Sequence, residues 1–198
     1  GLTLAFCLFR FDASRREKAS GQHSLAWLEL LWTVIPGAIL IFLALHQMPY
    51  WQANKEDHPA FLTSGMDRSQ AADPQVRVVA FQFGWRFVYT GQDGVLDTHD
   101  DFVSENLLVL PSNEEIILEL VSDVVIHSFA VNKLRLKQDI VPGLTPRVWF
   151  TITEDGDWEI NCMELCGWGH FRMIARLKTI PRPDYDEWVR SRLAERGF

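Results

Sequence analysis

Residues 161–173 read Asn-Cys-Met-Glu-Leu-Cys-Gly-Trp-Gly-His-Phe-Arg-Met, and they place Cys162, Cys166, His170 and Met173 within twelve positions. Two thiols, an imidazole and a thioether form a soft donor set. Structural zinc favours Cys and His and makes poor use of a thioether. Thiolate, imidazole and thioether together suit copper in electron transfer. Gly167 and Gly169 favour a loop over a helix, and a loop can wrap one compact centre. A mononuclear blue copper site takes one Cys, two His and a weak Met, so this loop has one Cys too many. Two thiolates can instead bridge two copper ions, each of which then needs one more strong donor. A second histidine must come from elsewhere. His127, in Ser-Asp-Val-Val-Ile-His-Ser-Phe-Ala-Val, lies on a β-type run and is the best placed. His23, His46, His58 and His99 fall in membrane, linker or turn positions. Two further readings stay open at this point. Cys162 and Cys166 form a disulfide in an oxidising compartment, or they hold zinc; His127 alone would then be an ordinary core histidine.

The elements that must position these donors are short. Strand-like runs cover residues 76–91, 106–111, 114–121, 124–131, 147–153, 157–162 and 173–180. Turn signals separate them at Gly91, Asp93-Gly94, Pro111-Ser112-Asn113 and Asp155-Gly156. Regular short strands with turns predict an all-β sandwich or barrel over residues 76–182. Residues 183–198 follow as a short amphipathic helix that starts after Pro183. Residues 52–75 are polar, contain Pro and Gly, and read as a linker.

Residues 1–51 differ in kind. The segment 25–48 has no charge from Leu30 to Leu45 and is long enough to cross a bilayer. Pro36 is tolerated in a membrane helix, and Trp27, Trp32, Tyr50 and Trp51 suit the two interfaces. Residues 1–9 are apolar but too short to span, and they read as the end of a first helix whose start is missing. Cys7 within them is expected to be inert. Residues 10–24 join the two runs and carry Arg10, Arg15, Arg16 and Lys18, which marks the cytoplasmic side and places the β domain on the outer face. Glu29 sits one turn into the spanning segment, where a carboxylate is costly and is a functional candidate.

Charge is split along the chain. The whole carries a formal net charge of −7, with residues 1–48 slightly basic and the remainder clearly acidic. An acidic domain excludes nucleic acid as a partner, because phosphate binding needs a basic patch. It fits the steering of a basic protein.

With these residues in view, the chain resembles subunit II of the haem–copper terminal oxidases, the cytochrome c oxidase family. The family's copper A motif, Cys-x-Glu-x-Cys-x-x-x-His-x-x-Met, is complete from Cys162 to Met173. The His127 block, Glu-Leu-Leu-Trp-Thr-Val-Ile-Pro (29–36) and Lys137 to Gly143 are similar to further family blocks. The resemblance implies an all-β cupredoxin-like Greek-key barrel, anchored by an N-terminal transmembrane α-helical hairpin whose first helix is incomplete. It implies two copper ions bridged by Cys162 and Cys166. His127 and His170 would be the strong terminal donors, with Met173 and the Glu164 carbonyl as weak ones. The Glu164 side chain would share a magnesium with subunit I, and Glu29 would stand near a proton path.

The implied function is to accept electrons from cytochrome c and pass them to a haem in subunit I. There oxygen is reduced to water with proton pumping, so this chain would carry electrons without holding the oxygen-reducing site. Implied partners are subunit I, subunit III, the bilayer, and cytochrome c or a tethered haem c domain. The implied location is a bacterial inner membrane with the copper domain on the periplasmic side. Alternatives are the copper A subunit of a nitric oxide reductase-type relative, a quinol oxidase subunit kept as a scaffold, and a copper-delivery factor. Loss of copper ligands would mark the scaffold, and none is lost here.

Two departures stand out. The family's aromatic block is Gln-Trp-x-Trp, whose first Trp takes up the electron; here it reads Gln82-Phe83-Gly84-Trp85. Uptake would then run through Trp85, through Trp168 or from a differently docked donor. The Arg that often follows the family's Pro-Gly is Leu144 here, with Arg147 three residues later. Asp93, Asp97 and Asp123 lie in blocks that carry donor-docking acids in relatives, and they are expected to steer a basic cytochrome c.

Overall fold

Alternation of apolar and polar residues produces the strands. On Val76–Phe81 every second side chain is buried, and on Ile174–Ile180 the same period appears shifted by one. The computed structural model describes residues 1–12, 14, 25–53 and 72–197. The expected basic loop falls mainly on residues 13 and 15–24, and most of the expected linker on 54–71; both lie outside the described residues.

The chain divides into two compact units, Gly1–Ala53 and Asn54–Phe198. The first contains α1 (Leu2–Arg10) and α2 (Ala26–Trp51). The 26 residues of α2 reach about 39 Å at 1.5 Å per residue, more than the hydrocarbon thickness of a bilayer. No residue of α2 is buried by this chain, and most of its large side chains, from Trp27 to Trp51, are exposed. Pro36 and Pro49 both lie inside it.

The second unit has ten strands: β1 (Val76–Phe81), β2 (Gly84–Tyr89), β3 (Phe102–Glu105), β4 (Leu107–Pro111), β5 (Glu115–Ser122), β6 (His127–Val131), β7 (Leu136–Ile140), β8 (Arg147–Thr151), β9 (Gly156–Cys162) and β10 (Ile174–Ile180). They form two five-stranded sheets in the orders β3-β2-β1-β5-β8 and β4-β10-β9-β6-β7. The chain crosses between sheets after β3, β4, β5, β7 and β8. This is a cupredoxin-like barrel. Between the sheets lie Val78, Phe87, Leu118, Leu120, Phe129, Ile140, Ile160 and Leu177, all without solvent access.

Four expectations need correction. The run 76–91 is two strands, because the chain reverses at Gln82-Phe83 and pairs Phe81 with Gly84. The run 124–131 is a strand only from His127; Val124 and Ile126 are exposed in the preceding loop, where the Ser122 hydroxyl donates to the Val125 carbonyl. Strands β3 and β7 were not expected, since Phe-Val-Ser-Glu and Leu-Lys-Gln-Asp-Ile are short and polar. The C-terminal helix, α3, runs Arg182–Glu195 and takes Pro183 into its first turn, where a missing N–H is harmless. It docks through Trp188, whose ring meets Tyr89 at 5.1 Å and Phe102 at 5.6 Å.

One ion-pair group ties the β2–β3 loop to the sheet. Arg77 donates to Asp97 at 2.5 and 3.0 Å and to Glu119 at 2.7 Å. These bonds from Arg77 hold the Asp97 carboxyl below its usual range. A carboxyl with a lowered folded-state pKa stabilises the fold above its unfolded value and loses that contribution as pH falls through the folded value. Asp97 is 72% exposed, so Asp97→Asn is expected to cost only about 0.2–1 kcal/mol at neutral pH. In denaturant titrations the difference from wild type should vanish in strong acid.

Candidate metal centre

Strands β9 and β10 pair antiparallel, and the loop between them closes where the Cys162 N–H donates to the Met173 carbonyl at 3.2 Å. The donor-rich segment is therefore the tip of a β-hairpin with fixed ends. The Met163 N–H donates to the Ser128 carbonyl at 3.1 Å, which pins the tip beside β6. Since Phe129 pairs with Cys162, His127 comes to the same end. β6 is buried at all five positions, and His127 has no solvent access.

The donors converge. The Cys162 and Cys166 sulfurs stand 3.9 Å apart as free thiols, roughly twice the ~2.05 Å of a disulfide. His127 Nδ1 lies 3.7 Å from the Cys162 Sγ, and His170 Nδ1 lies 3.6 Å from the Cys166 Sγ. The Glu164 carbonyl is 3.2 Å from Cys162, and the Met173 Sδ is 3.7 Å from Cys166. Each thiol thus has its own imidazole and its own weaker donor. The ligand atoms of His127, Cys162 and Cys166 fall within 4.8 Å of one another, a spacing that fits metal coordination.

Electrostatics favour a cation. Burial, and next the adjacent Cys162, push the Cys166 thiol up to about 11. Burial, and next the charge of His170, lower the pKa of His127 and keep its ring neutral, with a lone pair available. His127 Nε2 has no hydrogen-bond partner among the described residues, and only Nδ1 faces a sulfur. The Cys166 thiol, which resists ionisation, and a neutral imidazole are groups that a soft cation would stabilise in their ligating forms. The donor set therefore fits copper.

Neighbouring residues fix the frame. Trp85 is fully buried; its ring lies 6.4 Å from His127 and 5.7 Å from Phe129, and its Nε1–H points at the Met173 carbonyl at 3.5 Å. A donor protein cannot touch Trp85, so the contact of a docked donor falls on other residues. Phe83 lies on the hairpin tip: a Cβ added at Gly169 would stand 2.5 Å from its ring, and one at Gly167 would stand 3.0 Å away. Gly167 also has φ +137°, a region that favours glycine. The Gln82 side-chain amide donates to the Cys166 carbonyl at 2.5 Å.

Other expected residues do not gather here. Asp93 and Asp97 follow Tyr89, at the end of β2 away from the Gln82-Phe83 turn. That strand measures about 17 Å. Asp93 accepts from the Val95 N–H, and Asp97 is bound to Arg77. These two acids therefore stand beyond the strand end away from that turn; primary sequence had no means to tell one barrel end from the other. Asp123 is exposed at the correct end, where its N–H donates to the Ala80 carbonyl. Arg147 is held within the domain, with Nη1 donating to the Ala72 carbonyl at 2.8 Å and Nη2 3.9 Å from Glu119. Leu144, by contrast, is exposed. Glu29 lies on α2, in the other unit.

Comparison with known proteins settles the family. Residues 75–180 match "Cytochrome C oxidase subunit II, periplasmic domain" and residues 1–49 match the corresponding transmembrane domain. The chain belongs to the cytochrome c oxidase subunit II family. A probable cytochrome c oxidase subunit 2 of Rickettsia bellii is 28% identical over 204 residues, covering 96% of this chain and 71% of that protein. The cytochrome c oxidase subunit 2 of Alkalihalophilus pseudofirmus is 32% identical over 180 residues, covering 87% of this chain. The chain spans 46% of that protein and 60% of a Rickettsia felis relative, so it matches only part of several longer subunits II. In fold, it is similar to the periplasmic domain of subunit II of cytochrome oxidase of Bradyrhizobium japonicum. That likeness has a TM-score of 0.54 at 24% identity and covers 63% of this chain and 96% of that domain. The transmembrane-domain match and the apolar α2 agree on a membrane-anchored subunit II.

Proposed function

We propose that this chain is the electron-accepting subunit of a membrane-bound cytochrome c oxidase and carries a dinuclear copper A centre. One observation supports this above the others: each of two unpaired thiols has a private imidazole and a private weak donor. When bound, two copper ions sharing both thiolates would supply a one-electron carrier with its charge spread over two metals. Cys162, Cys166, His127 and His170 would be the strong donors that hold the ions, and Met173 and the Glu164 carbonyl the weak ones. Phe83 and Trp85 exclude water from two sides. Gln82 holds the backbone at Cys166.

In this reading the chain takes electrons from cytochrome c, or from a tethered haem c domain, and delivers them to a haem in subunit I. Oxygen is reduced there, with proton pumping. Subunit III completes the complex. The Glu164 carbonyl is turned toward Cys162, which leaves its carboxylate for a magnesium shared with subunit I. Glu29 stands near a proton path into that subunit. The two helices form a hairpin in a bacterial inner membrane, with the barrel on the periplasmic side.

The test is copper loading of the full chain in detergent, followed by metal counting and by optical and electron paramagnetic resonance spectra. Two copper ions per chain and one unpaired electron shared over both nuclei are expected. A single ion, or selective retention of zinc, would falsify the reading.

A further inference from the structure

We propose that Trp168 is the residue through which electrons from a protein donor reach the centre. Its redox role rests on the copper reading above; its role in donor binding does not. Trp168 lies two residues after Cys166 and two before His170, on the hairpin tip itself. It is 75% exposed, whereas Trp85 has no exposure.

This exposed ring is held on two sides. It meets Phe83 edge-on at 5.2 Å, and the Arg172 guanidinium sits 4.8 Å over it. Phe83 in turn fills the space left by Gly167 and Gly169; a side chain at Gly169 would collide with it, and one at Gly167 would press on it. Phe83 is thus the platform on which the exposed indole rests. Rigid, exposed Trp and Arg are the usual anchors of protein interfaces. Leu165 and Phe171 flank the ring at 76% and 77% exposure, giving the apolar surround of a docking patch.

The occupant is a c-type haem protein. Exposed Asp123 at this end and the acidic chain favour a cationic partner. Arg172 keeps cationic side chains off the middle of the contact, where an apolar haem edge fits. Transfer moves one electron from the reduced haem to the oxidised centre; no bond forms or breaks, and no proton moves.

The test compares wild type with Trp168→Ala and Trp168→Phe, using the full chain in detergent and a soluble cytochrome c as probe. With metal-free protein, Trp168→Ala is expected to weaken binding about tenfold or more, and Trp168→Phe by less. With copper-loaded protein, Trp168→Ala should slow reduction by the reduced cytochrome by a similar factor. Its optical spectrum and its reduction by ascorbate should stay unchanged. Equal binding and equal reduction in the alanine variant overturn the proposal, as does a wild type without saturable binding. A variant whose spectrum shifts assigns Trp168 to holding the loop, and also overturns it. If wild type forms no two-copper spectrum, the copper reading falls, while the binding comparison still decides Trp168.

Discussion

Cys166→Ser should abolish the dinuclear centre. The serine hydroxyl is a hard, weakly acidic donor and bridges soft metal ions poorly. The change also removes the sulfur that stands beside Cys162, His170 and Met173, at 3.9, 3.6 and 3.7 Å. Copper per chain is expected to fall from two to at most one, and the spectrum of an electron shared over two nuclei should disappear. The fold should persist, because the hairpin ends are joined by backbone hydrogen bonds that do not involve this side chain. Met173→Leu provides the contrast. It removes one weak donor and keeps the volume, so two ions should remain bound with a changed reduction potential. Metal counting, spectra and a redox titration separate the two variants. Retention of the shared-electron spectrum in Cys166→Ser would show that this thiol does not bridge.

Trp85→Ala is expected to have the largest effect on stability. Trp85 is the largest of the fully buried side chains, it packs edge-on against Phe129, and it forms a wall beside His127. Truncating a buried aromatic to alanine costs about 3–5 kcal/mol, through lost transfer energy and the cavity left behind. For a domain of this size the melting temperature should fall by on the order of 10 °C. The void would open beside His127, so copper affinity should fall as well, in contrast to Cys166→Ser, where metal is lost and the fold kept. Trp85→Phe retains most of the volume and should cost much less. Thermal melts with and without copper measure both effects. A loss below about 1 kcal/mol in Trp85→Ala would contradict the central place given to this ring.

The metal donors were legible in the sequence because their chemistry is local. Four of them lie within twelve residues, and no other use of two thiols, an imidazole and a thioether explains all four. His127 was legible only because the loop lacked a partner; the pairing of Phe129 with Cys162 that delivers it is a tertiary fact. Strands with strict alternation, such as β1 and β10, could be read directly. β7 could not, because its charged side chains conceal a strand whose inward end is Ile140. The reversal at Gln82-Phe83 was hidden inside an unbroken apolar run. The position of the expected docking acids was illegible for a different reason. Asp93 and Asp97 lie only about ten residues from Trp85, yet they leave β2 at its far end. Separation along a strand becomes distance in space, while separation around a hairpin does not. Burial of Trp85 and exposure of Trp168 follow from the same topology, and no property of the indole distinguishes them beforehand.

The hairpin tip between β9 and β10 has a consequence for descent. Five of the six proposed donors travel together on that tip, and a single histidine on a neighbouring strand completes them. Such a cassette can be exchanged or erased by one small genetic event without disturbing the scaffold beneath it. Among barrels of this shape, gain and loss of redox competence should therefore track the tip and leave the strands largely unaltered.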